Sequence, residues 1–366
     1  MKRILFLTNY ASPYRVRFFD ELGQYADVTV LYSESIAEMT HRDSKWFESG
    51  DGGFHPVQLT RTARMKTGNL CLDVVSWLKK KFDIIIVAGY SSPTVILAMA
   101  YMRAHKIPFW MEVDGGLIRP DSKAKFLFKK NLVTMADCWL STGKYTTDYL
   151  VHYGADRSRV AEYPFTSLYE KDILHETVSR EEKLALREKL EIPEAHMVLA
   201  IGQFIHRKGF DVLMKAARLL PGDVGIYIVG GEATEDYHKL REELGVSNVH
   251  FLGFQPKERL TEFYKAADLF ALPTREDIWG LVINEALAYG LPTITTDRCV
   301  AGLELIRDGI NGYIVPVEEE KDLAEKIQAV LDADREAMGT AALEAVRPYT
   351  LENMAKIHAQ ILDCGR

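Results

Sequence analysis

Two carboxylates at a fixed spacing, with basic residues upstream of them, are the first chemistry this sequence offers. Residues 272–297 read LPTREDIWGLVINEALAYGLPTITTD. Asp277 stands in a polar loop after an apolar run, and Glu285 falls on the second turn of a helix opening near Gly280. Ionised carboxylates accept hydrogen bonds from vicinal hydroxyls, so the pair suits a ligand carrying both a sugar ring and a ribose. Backbone amides at Gly280 and Leu281 would face a phosphate between them, because a helix start presents free N–H groups and positive potential. An acidic loop beside an ordinary helix is the alternative reading of the same spacing. The second cluster lies in residues 201–213, IGQFIHRKGFDVL. Arg207 and Lys208 precede a helix that opens at Gly209, where an ammonium point charge and aimed amides make an anion site. A solvated surface lysine is the alternative there.

Such side chains need elements to hold them, and the chain supplies these regularly. Short runs rich in Ile, Val and Leu occur at 3–8, 27–32, 83–88, 108–113 and 137–141. A second set occurs at 197–202, 224–230, 248–252, 267–272 and 292–296. Near-continuous hydrophobicity predicts strands buried on both faces, and the amphipathic stretches between them predict helical crossovers in parallel βαβ units. Ten or more such strands in two sets imply an α/β protein of two doubly wound domains. A weakly apolar, charged stretch near 166–186 separates the sets. The expected division is a first domain at 1–165, a second at 166–346, and a closing helix at 347–366. Ligands of such folds bind beyond the carboxyl ends of the strands, here in a cleft between domains.

Composition narrows the function further. With 366 residues, 47% of them hydrophobic and 27% charged, the chain has ordinary globular composition. Its four cysteines, Cys71, Cys138, Cys299 and Cys364, are scattered, which fits a reducing compartment and offers no zinc site. The apolar run after Met1 stops at Thr8, shorter than the ~7–15 residues of a signal core, and no run approaches the ~20 residues of a membrane span. The expected location is therefore the cytoplasm. The net charge of −7 is uneven: residues 1–165 hold 22 Lys/Arg against 17 Asp/Glu, so the remainder is strongly acidic. A protein of this balance is not a general nucleic-acid binder. A basic front half suits an anionic acceptor or the inner face of an anionic membrane. Residues 122–133, SKAKFLFKKNLV, set Lys123, Lys125, Lys129 and Lys130 around Phe126, Leu127 and Phe128. That pattern fits either an interfacial helix or a half-buried one whose lysines reach outward. GxxxxGK[ST], HExxH, GxSxG and a GxGxxG after the first strand are all absent.

The segment 272–297 resembles the EX7E signature of the large retaining glycosyltransferase family 4, which has the GT-B fold. Asp277 stands where that family carries its first glutamate, with Glu276 beside it, and Glu285 matches the second glutamate. The resemblance implies that Asp277 or Glu276 contacts the donor sugar and that Glu285 holds the ribose. Residues 202–209 are similar to the family's G-R-x4-K-G pattern. Lys208 matches the lysine that grips the diphosphate, Gln203 replaces the arginine, and Arg207 is available to supply the missing charge. Gly230 and Phe254 lie in segments that resemble the family's strand-end turn and the loop beside the base. Residues 260–273 and 302–313 match further family segments.

In the first half the resemblance is weaker. Arg15, in a loop lining the cleft, is a candidate to meet a phosphate of donor or acceptor, with an ordinary helix-entry arginine as the alternative reading. Tyr90 is expected to line the acceptor side. Asp114 is the candidate near the reacting carbon, where relatives carry a His-Asp pair. The resemblance implies a retaining, metal-independent hexosyltransferase without cofactor. It would move a sugar from a nucleotide-diphosphate donor to a glycan or lipid-linked acceptor in polysaccharide, lipopolysaccharide or glycolipid synthesis. A sugar-nucleotide epimerase or phosphorylase on the same fold, or a non-catalytic sugar-nucleotide-binding protein, are the alternatives.

Overall fold

The computed structural model describes residues 1–34 and 52–364. The chain divides into two compact units, one of residues 1–167 with 349–366, the other of residues 168–348. In the first, β1 (Arg3–Thr8), β2 (Asp27–Tyr32) and β3 (His55–Gln58) are followed by a hairpin of β4 (Ala63–Met65) and β5 (Gly68–Leu70). Then come β6 (Ile84–Ala88), β7 (Trp110–Val113), β8 (Cys138–Ser141) and β9 (Val160–Glu162). Apart from the hairpin these form one parallel sheet in the order β3-β2-β1-β6-β7-β8-β9.

The second unit repeats the plan with β10 (His196–Ile201), β11 (Val224–Val229), β12 (Val249–Leu252), β13 (Leu269–Leu272), β14 (Thr293–Thr296) and β15 (Gly312–Val315). Its parallel order is β12-β11-β10-β13-β14-β15. In each unit the order reverses beside the first strand, at β1/β6 and at β10/β13. At such a reversal the crossovers leave to opposite faces and open a crevice at the strands' carboxyl ends.

All ten expected strands are present. They form because both faces are covered: every residue of β11 is buried, as are five of six in β1 and β10. Each fully buried Ile, Leu, Val or Phe contributes roughly 1.5–3 kcal/mol over its exposed state. The strands that the hydrophobic runs did not announce are β3, β9 and β15, at sheet edges, and the hairpin. β3 reads HPVQ and β9 VAE, neither with a buried residue, so edge pairing rather than side-chain burial makes them strands. Helix starts follow local chemistry. Ser92 accepts from the Val95 amide ahead of Pro93, and Ser122 and Thr350 cap their helices in the same way. The last helix, Leu351–Asp363, belongs to the first unit and packs there on Pro13–Leu22.

Candidate functional site

In the second unit the two sequence clusters meet at the carboxyl ends of β10 and β13, the strands flanking its topological reversal. After β10 the chain makes a short 3-10 turn, His206–Lys208, before the helix Phe210–Ala217. Lys208 therefore sits in that turn rather than on the helix itself. Gly209 joins the two with φ of 70°, and a Cβ there would lie 2.0 Å from the Pro273 carbonyl oxygen. Only glycine lets the two loops approach this closely. Gly280, with φ of 101°, is likewise the left-handed entry to the helix Leu281–Ala288.

This approach brings Lys208 Nζ to 2.6 Å from Asp277 Oδ2, and Arg207 to 3.1 Å from Asp277 Oδ1. Arg207 also donates to the Glu276 carbonyl at 2.8 Å. Of the two adjacent acids, Asp277 gives the cations its carboxylate, and Glu276 gives them its backbone. The Asp277 amide donates to the Arg298 carbonyl at 2.9 Å, which fixes the loop from its other side. Two cations thus share the Asp277 carboxylate. The Lys208 and Asp277 side chains keep 11% and 13% of their surface exposed, and Arg207 keeps 44%.

Glu285 lies on the helix that follows, half-buried, and its Oε2 accepts from the Tyr264 hydroxyl at 2.9 Å. Burial pushes its carboxyl above the ordinary value, and the Tyr264 hydrogen bond works against that shift. Tyr264 in turn stacks on Tyr289, with ring centroids 4.7 Å apart. Tyr264 is a residue the sequence reading passed over, although it falls inside the 260–273 segment that carried the resemblance.

The remaining second-unit candidates ring the same strand ends. Leu281 is half-buried at the helix start. Gly230 follows β11, and a Cβ there would sit 1.9 Å from the Gly202 carbonyl oxygen. Gln203 is exposed in the loop after β10, and Phe254 is 63% exposed beyond β12.

The first unit places Arg15, Glu112 and Asp114 together. Arg15 is buried, pairs with Glu112 at 2.8 Å and donates to Asp114. Arg15 lies in the first turn of the helix Pro13–Leu22 rather than in the loop expected of it, and its guanidinium meets two carboxylates of its own unit. Glu112 Oε1 also faces His358 Nε2 at 3.3 Å, while His358 Nδ1 lies 2.8 Å from the Met354 carbonyl. Burial pushes the Asp114 carboxyl up, Arg15 opposes this, and Glu112 adds to it. For Glu112 burial acts the same way, but Arg15 and His358 together override it and hold the carboxyl low. Tyr90, beyond β6, shares a hydrogen bond with the Tyr149 hydroxyl.

The basic stretch forms the helix Lys123–Val133, with Leu127 and Phe128 each more than half exposed. Asp121 holds both Lys125 and Lys129 at 2.9 Å. A groove of about 610 Å³ runs beside it, lined by Ile118, Arg119, Lys123, Phe126 and Leu127 among others. Among the described residues no helix is long and apolar enough to cross a membrane.

Residues 182–346 match the family model of glycosyl transferases group 1. The chain is 31% identical to the D-inositol 3-phosphate glycosyltransferase of Corynebacterium aurimucosum over 251 residues, 63% of this chain and 58% of that relative. It is 36% identical to the lipopolysaccharide core biosynthesis glycosyltransferase LpsE of Rhizobium meliloti over 148 residues, 40% of this chain and 42% of that one. The chain thus spans little more than half the length of the first of these relatives. Among solved structures, Anabaena Alr3699/HepE in complex with UDP and glucose aligns over all of both chains, with a TM-score of 0.75 and 19% identity. The fold is GT-B.

Proposed function

We propose, on the premise that residues 182–346 belong to the glycosyl transferases group 1 family, that this protein is a retaining, metal-independent glycosyltransferase. The donor is a nucleoside-diphosphate sugar held by the second unit, and the acceptor is a glycan or lipid-linked hydroxyl held by the first. The observation that carries this reading is the meeting of Lys208, Arg207 and Asp277 beside the Leu281–Ala288 helix start, with Glu285 on its second turn.

Lys208 and Arg207 neutralise the diphosphate together with the amides at Gly280 and Leu281, which stabilises the charge that grows on the leaving group. Asp277 turns to the sugar hydroxyls, with Glu276 beside it. Glu285, with one oxygen held by Tyr264, offers the other to a ribose diol. The bond between the anomeric carbon and the β-phosphate oxygen breaks, and its electron pair leaves with the nucleoside diphosphate. The acceptor oxygen attacks the same face, and its proton passes to the departing phosphate. The product keeps the anomeric configuration.

The relative named for lipopolysaccharide core biosynthesis favours a surface glycan or glycolipid as product. Action at the cytoplasmic face of an anionic membrane fits the exposed Leu127 and Phe128 among basic residues. Because Lys125 and Lys129 are tied to Asp121, Lys123 and Lys130 are the lysines to test. Sedimentation with vesicles containing anionic lipid is expected to weaken in a Lys123→Gln/Lys130→Gln variant. Unchanged sedimentation would remove the membrane from the reading.

The donor assignment is tested by thermal unfolding with UDP, GDP, ADP and their sugar conjugates. A ligand at a hundred times its dissociation constant adds about 2.7 kcal/mol of stability. One nucleotide is expected to raise the midpoint, and Glu285→Ala to abolish the rise. No shift with any of them would defeat the transferase reading.

A further inference from the structure

Beside the candidate donor site lies an arginine that neither the resemblance nor the sequence spacing singled out. Arg275 sits between Pro273 and Asp277, on the loop after β13. Its side chain points away from Asp277 and into a knot of three other segments. NH1 donates to the His206 carbonyl at 2.6 Å and to Asp211 Oδ1 at 2.8 Å. NH2 donates to Asp211 Oδ2 at 2.7 Å and to Glu318 Oε2 at 2.9 Å. Nε donates to Glu318 Oε1. A guanidinium has five N–H groups in a fixed plane, and here each meets an acceptor. None is left for a ligand.

Two of the three segments so tied flank Lys208. His206 opens the 3-10 turn that ends at Lys208, and Asp211 lies in the first turn of the helix after it. Glu318 follows β15 with a left-handed φ of 68°, a conformation unfavourable for a residue with a side chain. The Arg275 fork holds it there. Along the backbone the Arg275 amide donates to the Arg207 carbonyl at 2.8 Å, and Thr274 Oγ1 reaches the same oxygen at 2.9 Å. Burial works to raise the Asp211 carboxyl, yet the Arg275 hydrogen bonds and charge hold it below its ordinary value.

We infer that Arg275 is a positioning residue for the donor site: it fixes the loop bearing Arg207 and Lys208 against the loop bearing Asp277 and touches no ligand itself. The inference rests on the donor reading above. It differs from a charge role in a measurable way. Were Arg275 present only to offset nearby acids, removing the charge of Asp211 would strengthen binding of an anion. A positioning role demands the reverse, because Asp211→Asn breaks the bidentate fork that holds the loop.

The test is calorimetric titration of the full chain with UDP, GDP and ADP, using whichever binds. Arg275→Gln is expected to weaken binding about tenfold, the effect of losing one well-placed charged hydrogen bond. Asp211→Asn is expected to weaken it also, despite removing a negative charge. Arg275→Lys should recover only part, since an ammonium cannot form the planar fork. Because Arg275 acts through Arg207 and Lys208, Arg275→Gln/Lys208→Ala should lose less than the product of the two single losses, a non-additive pair. Thermal midpoints without nucleotide report folding, and if Arg275→Gln does not fold, Asp211→Asn and Arg275→Lys carry the test.

Tighter binding by Asp211→Asn, or losses for Arg275→Gln and Lys208→Ala that multiply, would overturn the inference. So would normal binding by Arg275→Gln and Asp211→Asn while Lys208→Ala binds weakly, and that result would leave the donor reading intact. A wild-type protein that binds none of the three nucleotides would instead defeat the donor reading, and the role of Arg275 with it.

Discussion

Two ion clusters lie near the carboxyl ends of strands in the two units, and they are built in opposite senses. One stands at β10 and β13 beside the topological reversal, the other between the helix after β1 and the end of β7, one strand beyond it. In the second unit two cations, Lys208 and Arg207, share one carboxylate, and all three side chains keep some exposed surface. In the first unit one cation, Arg15, is shared by two carboxylates; the Arg15 and Glu112 side chains are only 3% and 0% exposed, and Asp114 keeps 33%. In the former both cations stand near solvent on a single carboxylate. The latter has its positive charge consumed inside the fold. On the proposed donor reading the same residue types serve binding in one place and architecture in the other, and the clusters differ in stoichiometry and in the burial of their cations rather than in the identity of the side chains.

Breaking the first-unit cluster should produce the largest effect on stability. Removing one partner of a buried, hydrogen-bonded ion pair leaves the other charge uncompensated, which costs about 3–5 kcal/mol. Glu112→Gln takes one of Arg15's two carboxylates, so Asp114 compensates in part and the loss should fall toward the lower end of that range; it also weakens the contact with His358 on the last helix. Urea unfolding is expected to show that loss in the transition of the first unit. A loss below about 1 kcal/mol, the range of exposed pairs, would mean that the buried Arg15–Glu112 pair adds no more than an exposed one. The pH dependence has opposite signs at the two acids. Glu112 is held low when folded, so its contribution is present above the ordinary glutamate range and lost as pH falls through its folded-state value. Asp114 is raised when folded, so the folded state loses stability as pH climbs from the ordinary aspartate range through the raised value. Asp114→Asn should flatten that second slope and leave the acid limb.

The contrast between the clusters also marks how far the sequence could be read. The carboxylates and cations of the second unit were legible because they lie within two short segments, each spanning one strand end, one loop and one helix start. Buried strands such as IIIVA at 84–88 announced themselves because both faces are apolar. Edge strands such as HPVQ at 55–58 carry no such mark, since backbone pairing alone defines them. Arg15 was singled out for a phosphate because nothing in its neighbourhood names its partners. Asp114 lies 99 residues away, and the two meet only because β1 pairs with β6, and β6 with β7. Arg275 was illegible for the same reason, with Asp211 and Glu318 lying 64 and 43 residues away. Local motifs expose side chains that face a ligand. Side chains that hold those motifs in place answer to strand order, which one sequence does not spell out.

The smaller expected effect, and the sharper test of the comparison, belongs to Lys208. Replacing it with alanine removes a charged hydrogen bond to the diphosphate, worth roughly 1.5–3 kcal/mol, or about ten- to a hundred-fold in donor turnover. The intrinsic stability of the second unit should change far less than the first unit's does in Glu112→Gln, because Arg207 still pairs with Asp277 and the cluster is partly hydrated. Donor affinity of the wild type should fall with added salt, since the charges meet near solvent, and Lys208→Ala should lessen that dependence. A variant with wild-type turnover and an unaltered salt response would show that the Lys208 charge is not met by the donor. The two clusters would then differ in burial alone, and the functional half of the contrast would be lost.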